Sequence, residues 1–541
     1  MDTIGQVIQF GYDPRFNKPS SITNSIEKTT LLSYDSKGNL TRTTYPDSSN
    51  ENYTYDSFGN LTSVQDANGK VTQYTFNGQG QITTLRNALG NETRLAYDTA
   101  GNLQSVTDAK EHSISHARDT LGRLTRRTYP DGSHEDYEYD GVGKVTAFTN
   151  RRNERISFSY DVTGRLEWKT YPSGKKLHFL YDAAGYLARI EQIMGAVTTL
   201  DTDYERDALH RLTKTKVPGK ATPESYDISY AYDAVGNRIF MAYPDGYSVS
   251  YSYDAANRLI RISDAGNNIL LSYEYDAADR RTKKTLGNGT YTTYQYDDLE
   301  RLTLLVNYSP SGVVQSRFAY TLNAAGMRTS MATIEGMNSY TYDDTYQLTA
   351  VKYPDGKTVD YAFDKAKNRI SVNADGAVTN YVTNTLDQYT QAGSATFGYD
   401  ANGNLTTRTL NSVTTTYGWN EDDRLISLDR DGDHIGYQYD HQGRLVAKIA
   451  DSQETRFVWD GFNLIAELDS AGNLLKRYIY GASLDEIVAV FSSGLRYWAA
   501  LDGLGSVVGT TNDSGALIAA ASYDVYGNAR VGDLGPVPQR F

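Results

Sequence analysis

The chain is periodic, and its period is the feature that most limits what it can fold into. A Tyr-Asp pair, two variable residues, Gly, then Asn or Arg, then Leu recur along it. Tyr34-Asp35 with Gly38 opens the first clear copy. The position returns every 21 residues at Tyr55-Asp56 with Gly59, Phe76-Asn77, Tyr97-Asp98 with Gly101, Arg118-Asp119, Tyr139-Asp140 with Gly143, Tyr160-Asp161 with Gly164 and Tyr181-Asp182 with Gly185. Spacing then loosens to about 20–26 residues. Those copies start at Arg206-Asp207, Tyr232-Asp233 with Gly236, Tyr253-Asp254, Tyr275-Asp276, Tyr296-Asp297 and Leu322-Asn323. Further ones sit at Tyr342, Phe363, Thr383, Tyr399-Asp400 with Gly403, Trp419, Tyr439-Asp440 with Gly443, and Trp459. A repeat chain grows along one axis, so its 541 residues do not count domains.

A second signal falls 11 residues after a repeat start, as in Tyr45-Pro46-Asp47, Tyr129-Pro130-Asp131-Gly132, Tyr171-Pro172-Ser173-Gly174, Tyr243-Pro244-Asp245-Gly246 and Tyr353-Pro354-Asp355-Gly356. Proline presets one turn residue's φ and glycine takes a positive one, so each unit carries two turns. Between them, stretches such as Tyr247-Ser248-Val249-Ser250-Tyr251-Ser252-Tyr253 alternate with the period of a strand. The fold expected is all-β: two short strands per repeat in one long antiparallel meander. So many strands cannot stay flat, because twist accumulates, and the sheet must coil, close or split. In the motif, Tyr is expected to close a strand and stack on the next repeat's Tyr. Asp should accept hydrogen bonds from turn amides, and Gly should adopt angles a Cβ would resist.

Composition agrees. Tyr supplies 45 residues against 15 Phe and 4 Trp, and suits a pleated surface with one wet side. The net charge of −13, with both signs interleaved, argues against nucleic acid as a partner. No run of about 18 apolar residues exists, so no helical membrane span is expected. Met1–Gln6 lacks the basic start and apolar core of a signal peptide. The absence of cysteine excludes disulfides, zinc-thiolate sites and thiol nucleophiles.

These residues carry a resemblance. Tyr-Asp-x-x-Gly-Asn/Arg-Leu at this spacing resembles the YD repeat of Rhs proteins, the C-components of bacterial Tc toxins and the teneurin shell, over roughly residues 12–530. The resemblance implies a hollow β-shell that, in bacterial members, encloses a C-terminal toxin domain. Asp502-Gly503-Leu504-Gly505-Ser506-Val507 with Tyr523-Asp524-Val525-Tyr526-Gly527 is similar to the start of the Rhs-associated core. That core continues, in many members, past a Pro-x-Arg-Phe-like stretch into a segment that cleaves its own chain. The sequence ends at Pro538-Gln539-Arg540-Phe541, so no protease residue carries over. The organisation expected is YD repeats over 1–480, then an irregular cap and the start of the core over 481–541. Ile487-Val488-Ala489-Val490-Phe491 and Tyr497-Trp498 break the repeat and are expected to cap the last apolar face or plug the shell from inside. Tyr12-Asp13 is itself a repeat start, 22 residues before Tyr34, which leaves Met1 within a preceding repeat. An excised segment or truncated product is therefore expected.

No catalytic constellation stands out. The Tyr ladder could stack on sugars, but its regularity favours packing. Asp429-Arg430-Asp431-Gly432-Asp433 begins like a calcium loop, yet His434 holds the position that needs Gly. His112 and His116 have helical ligand spacing, but on a strand they lie about 13 Å apart. Ser506 follows Gly505 without a nucleophile elbow. Asp297-Asp298 and Asp422-Asp423 sit at turns, where solvated side chains are the default. Neither cofactor nor metal is expected.

The function expected is a non-enzymatic shell that keeps a cargo from solvent and proteases, with room for about 10–15 kDa at most. Its partners would be the encapsulated toxin and a delivery component, in a protein secreted by or displayed on a bacterium. The alternatives are a cell-surface adhesion or carbohydrate-binding module, and a rod-like spacer.

Overall fold

The structure, a computed structural model, describes residues 7–218 and 225–538. The ends read above at Met1–Gln6 and Gln539–Phe541 lie outside the described residues. Fifty strands, and no helix among the described residues, form one antiparallel meander in which each strand pairs with the next in sequence.

From Tyr34 to Tyr439 every motif is the same hairpin end, whereas Asp13 pairs Lys18 across a longer loop and Asp460 pairs Asn463 across a two-residue one. The Asp35 N–H donates to the Asn39 carbonyl at 3.0 Å and the Gly38 N–H to the Asp35 carbonyl at 3.2 Å. That is a three-residue loop ending in a left-handed residue, here Gly38 at φ 84°. The register accordingly slips once per hairpin, between Ser33 and Tyr34 in this copy. Mid-repeat turns up to Tyr171 close the same way, as where Tyr129 N–H reaches the Ser133 carbonyl and Gly132 N–H the Tyr129 carbonyl, both at 2.9 Å. Several later ones tighten to two residues, as at Thr333–Gly336 and Arg430–Asp433.

The meander winds into a spiral, and side-chain contacts between successive circuits give its size. Asn24 meets Glu300, 276 residues on, and Asn68 meets Tyr346, 278 on. The separation then shrinks to 253 at Lys169 and Asp422, 230 at Tyr230 and Asp460, and 194 at Asn307 and Leu501. It is 175 where Arg530 meets Asp355. Each circuit is shorter than the last, so the wall tapers toward its C-terminal end.

The early seam follows a charge rule. Mid-repeat turns of the first circuit, mostly basic, sit on acidic motif turns of the second. Lys28 pairs Asp298 at 2.7 Å, Lys70 pairs Asp344, and Lys110 pairs Asp364 and Asp387 at 3.0 and 2.9 Å. Arg152 reaches Asp400 at 3.0 Å, and Lys169 and Lys175 hold Asp422 at 2.7 and 3.2 Å. Asp298 and Asp423 stay largely exposed, as expected of turn carboxylates, yet Asp298 and the more covered Asp422 also serve the seam and Asp297 its own turn. The reason is that the first circuit brings cations to Asp298 and Asp422, while Arg301 of its own turn holds Asp297.

The narrow end is filled. The strands Ile487–Ser492, Leu495–Leu501 and Val507–Thr511 pair on as before, but Ile487, Val488, Ala489 and Val490 are all buried. Successive strand residues face opposite ways, so both faces of this strand are covered. They join one cluster with Ile228, Met241, Ile262, Leu271 and Tyr273 of the earlier wall and with Leu534 and Val537 of the tail. The loop where the repeat fails is pinned by Glu486, 4% exposed, which takes Arg281 at 2.7 Å, Lys284 at 3.5 Å and the Tyr273 hydroxyl at 2.9 Å. Burial works to raise that carboxyl, but Lys284 and Arg281 outweigh it and hold it low.

Burial likewise works to raise the Asp422 carboxyl, and Lys169, Tyr171 and Lys175 outweigh it, leaving it below the usual carboxylate range. A carboxyl lowered by folding contributes stability that is complete above its unfolded value near pH 4 and is lost as pH falls through the folded one. Acidification from about pH 5 to 3 should therefore loosen the seam, seen as faster proteolysis near Asp422. Asp422→Asn should abolish that part of the pH dependence and lower the melting temperature at neutral pH.

Candidate functional site: the inner wall

The motif residues singled out from the sequence build the wall's motif end. Asp35 Oδ1 accepts the Lys37 and Asn39 amides at 2.8 and 2.9 Å, and Oδ2 accepts the Asn39 side-chain amide at 2.9 Å. The Asn39 amide, followed by its backbone N–H, lowers the Asp35 carboxyl; Asn60 and Asn102 do so for Asp56 and Asp98. Asn237 and Asn404 clasp Asp233 and Asp400 in the same way, and Arg165 and Arg444 clasp Asp161 and Asp440 at 2.7 Å. Gly59, Gly101, Gly143, Gly164, Gly185, Gly236, Gly403 and Gly443 all repeat the left-handed geometry of Gly38.

The motif tyrosine does not stack on its neighbour, as the sequence suggested. Between hairpins the ladder covers Thr84–Arg94, Leu85–Thr93 and Arg86–Glu92, then stops short of the motif end. The Tyr97 hydroxyl crosses that fray and donates to the Ile82 carbonyl at 2.9 Å. Tyr34, Tyr139, Tyr160, Tyr181 and Tyr232 donate to Pro19, Leu124, Val145, Leu166 and Leu212 at 2.7–2.8 Å. Tyr399 does the same to Tyr389, and Trp419 and Trp459 reach Leu405 and Leu445 through the indole N–H. Trp can therefore replace Tyr, because both end in a donor. The residue before Leu adds a second tie. Arg123 lies 4.7 Å over the Tyr139 ring and donates to the Asp140 carbonyl at 3.0 Å, and Lys144 lies over Tyr160 and reaches the Gly164 carbonyl. Tyr55-Asp56, Asp140, Asp182 and Tyr439 occupy the corresponding strand ends and turns.

The motif tyrosines mark the inner face. Tyr230, Tyr251 and Tyr273, each two residues before a motif Tyr, share its face and pack in the central cluster. Earlier in the chain that face carries the cross-strand pairs Tyr53–Val64, Tyr74–Leu85, Leu95–Val106 and Tyr137–Phe148. The opposite face carries Thr54–Ser63, Thr75–Thr84 and Ala96–Ser105. Among the described residues no hydrophobic side chain before Ala147 is fully buried. The wall there is one sheet thick: the side chains of its aromatic face half-bury one another, and among the described residues no second layer packs on them. The accessible surface says the same: 27168 Å², against about 19,000 Å² expected for a compact monomer of this mass.

Toward the narrow end a cavity of about 1060 Å³ separates the wall from the returning strands; Phe318, Met331, Tyr340, Tyr353, Val508 and Tyr523 line it, with Arg328 and Arg530. Burial raises the carboxyl of Asp502 on its border. At the wide end, apolar tips of motif turns stand in solvent, with Phe58 90% exposed and Leu121, Val142, Val162, Leu209 and Val235 beside it along the rim. The calcium-like segment is a plain hairpin, with Asp429 opposite His434 and Arg430 opposite Asp433. Ser506 is buried and its N–H binds Asp502.

A tapering, single-walled β-spiral of Tyr-Asp repeats, filled at one end and bare inside at the other, defines a shell protein. The chain belongs to the teneurin YD-shell family, whose model matches residues 3–132, 108–284 and 286–533. Among solved structures it is similar to TcdB2-TccC3 with a TM-score of 0.82 at 16% identity, over 98% of this chain and 33% of that one. The same pair without its hypervariable C-terminal region gives 0.77, and the Photorhabdus luminescens Tc holotoxin pore 0.67 over 95% of this chain and 32% of that one. At such identities the likeness is one of fold. Curated relatives are the tRNA3(Ser)-specific nuclease WapA of Bacillus spizizenii, 27% identical over 196 residues, and the tRNA nuclease WapA of Bacillus subtilis, 26% identical over 196. The chain spans about a third of the solved relatives; the matched stretch is 35% of this chain and 8% of either nuclease.

If the hydroxyl strap holds the frayed motif end, Tyr139→Phe should cost about 1 kcal/mol while leaving the ring in place. Thermal unfolding of the two proteins measures this, and Thr75→Val on the outer face serves as the comparison.

Proposed function

We propose that this chain is the non-enzymatic wall of a toxin shell, which holds a polypeptide cargo against its inner face. The observation that carries the proposal is the uncovered aromatic face of a wall one sheet thick, closed at its narrow end. The reading is supported by the likeness to the TccC3 structures, one of them lacking a hypervariable C-terminal region, and by the match to part of the WapA proteins, which are tRNA nucleases. A cargo in contact with Tyr53, Tyr74, Tyr137 and Phe148 would bury surface that is otherwise wet, a gain of roughly 25 cal/mol per Å². A small domain fused beyond Phe541 should resist trypsin at neutral pH far longer than the same domain free. Cleavage at equal rates would remove the enclosure reading, and glycan binding by the empty chain would favour the adhesion alternative.

The rim is the surface we assign to a delivery component; TccC3 is found together with TcdB2 in the similar structures. Its tips Leu121, Val142, Val162, Leu209 and Val235 form an apolar arc, whereas motif turns that meet the first circuit carry acids such as Asp298, Asp344 and Asp422. Replacing Val142 and Val162 by Asp should abolish co-elution with a TcdB2-type component in size-exclusion chromatography and leave the shell folded. Unchanged co-elution would place the contact elsewhere.

A further inference from the structure

One group of side chains in the seam is explained by neither the turns nor the ion pairs. The first-circuit turn that opens at Asp108 and closes at His112 lies against the second-circuit turn from Asn384 to Gln388. There His112 Nδ1 and carboxylate oxygens of Asp108 and Asp387 come within 4.8 Å of one another. His112 Nδ1 is 3.6 Å from Asp108 Oδ2 and 3.9 Å from Asp387 Oδ1, beyond hydrogen-bond reach. That nitrogen is buried and has no hydrogen-bond partner, an arrangement that is uncommon and costly. Asp108 is held in place, since its Oδ1 accepts the Lys110 and His112 amides at 2.8 Å each. Its second oxygen is left toward the ring.

We propose that Asp108, His112 and Asp387 bind a divalent transition-metal ion of the zinc type, which clasps the first circuit to the second. An imidazole nitrogen with carboxylate oxygens is a zinc donor set; calcium and magnesium take oxygen ligands. Zinc bonds of about 2.0–2.1 Å set tetrahedral ligand edges near 3.4 Å. The two spacings from His112 Nδ1, 3.6 and 3.9 Å, therefore need to close by a few tenths of an ångström, and the two carboxylates, within 4.8 Å of each other, draw together on the ion. Water fills the fourth position. Lys110 is the competitor: its Nζ lies 2.9 Å from Asp387 Oδ1 and 3.0 Å from Asp364 Oδ2. Asp387 also accepts the Asn368 amide at 2.7 Å, which keeps its carboxylate at the seam when the ammonium leaves. Metal entry moves Lys110 onto Asp364, so Asp387 chooses between an ammonium and a metal ion.

The test is calorimetric titration of the whole untagged chain with zinc chloride, with magnesium chloride as the control. One saturable zinc site is expected, weakened at least about tenfold in His112→Gln and in Asp387→Asn, tightened in Lys110→Met and unchanged in His116→Gln. Zinc should raise the melting temperature of the natural chain but not that of His112→Gln. Absence of saturable zinc binding, or binding indifferent to His112→Gln, overturns the site. Binding indifferent to Asp387→Asn confines the ion to one turn and overturns the clasp. Should His112→Gln fail to fold, Lys110→Met decides: affinity that does not rise contradicts the proposal.

Discussion

The bulge at every motif turn is the constraint on which the rest of the shell depends. It shifts the register once per hairpin and, as far as the pairing of Thr170 with Lys176, leaves neighbouring hairpins paired over only three residues near the mid-repeat end, as at Thr84–Arg94, Leu85–Thr93 and Arg86–Glu92. The motif end of each strand pair is open, and the Tyr ring fills the opening while its hydroxyl replaces a ladder bond. A wedge repeated at one end of each hairpin bends the sheet the same way each time. Curvature is thereby a property of the repeat itself, which lets the first 140 residues keep their shape with almost no buried core.

Equal spacing then makes a second contact possible. Two strands advance the wall by about 9.6 Å, so an unvaried 21-residue unit sets its turns at an even pitch. A row of basic mid-repeat turns can meet a row of acidic motif turns only if both rows share that pitch, as Lys28, Lys70 and Lys110, each two repeats from the next, do with Asp298, Asp344 and Asp387. The circuit separation has already dropped from 277 at Lys110 to 253 at Lys169, and past Tyr181, where the strands lengthen to ten residues in Val197–Arg206, it falls further, to 237 at Tyr204 and His441. There the contacts also change character: His441, buried beneath Tyr204, is lowered to about 4 by burial and stays neutral, and apolar packing takes over around Ile487.

The meander, both turns and the identity of the motif residues were legible in the sequence because each is a local or periodic fact. Pro130-Asp131-Gly132 announces its turn, and Tyr-Asp announces the other. The role of the Tyr hydroxyl was not legible: its acceptor lies 15 residues back, and only the fray in the ladder shows why that carbonyl needs a donor. The seam was hidden for a stronger reason. Nothing in the sequence around Asp422 reports that Lys169 lies beside it, because which turns meet is set by the length of a whole circuit. The same blindness hid Glu486 with Lys284, and it set His112 beside His116 on paper while its neighbour in space is Asp387.

Two kinds of bond with unequal strength therefore hold the wall. Along the sheet, each strand is joined by several backbone hydrogen bonds and by the hydroxyl straps, and breaking them means losing a cooperative ladder. Between early circuits the contacts are side chains on partly exposed turns, and exposed ion pairs contribute only about 0–1 kcal/mol each. The wide end can thus part along its seam while every hairpin stays intact, whereas the narrow end, where Ile487 to Val490 are sealed on both faces, cannot. Separation of circuits should precede loss of strands, and it should start along the early seam, where charge pairs join the circuits and, among the described residues, no hydrophobic side chain before Ala147 is fully buried.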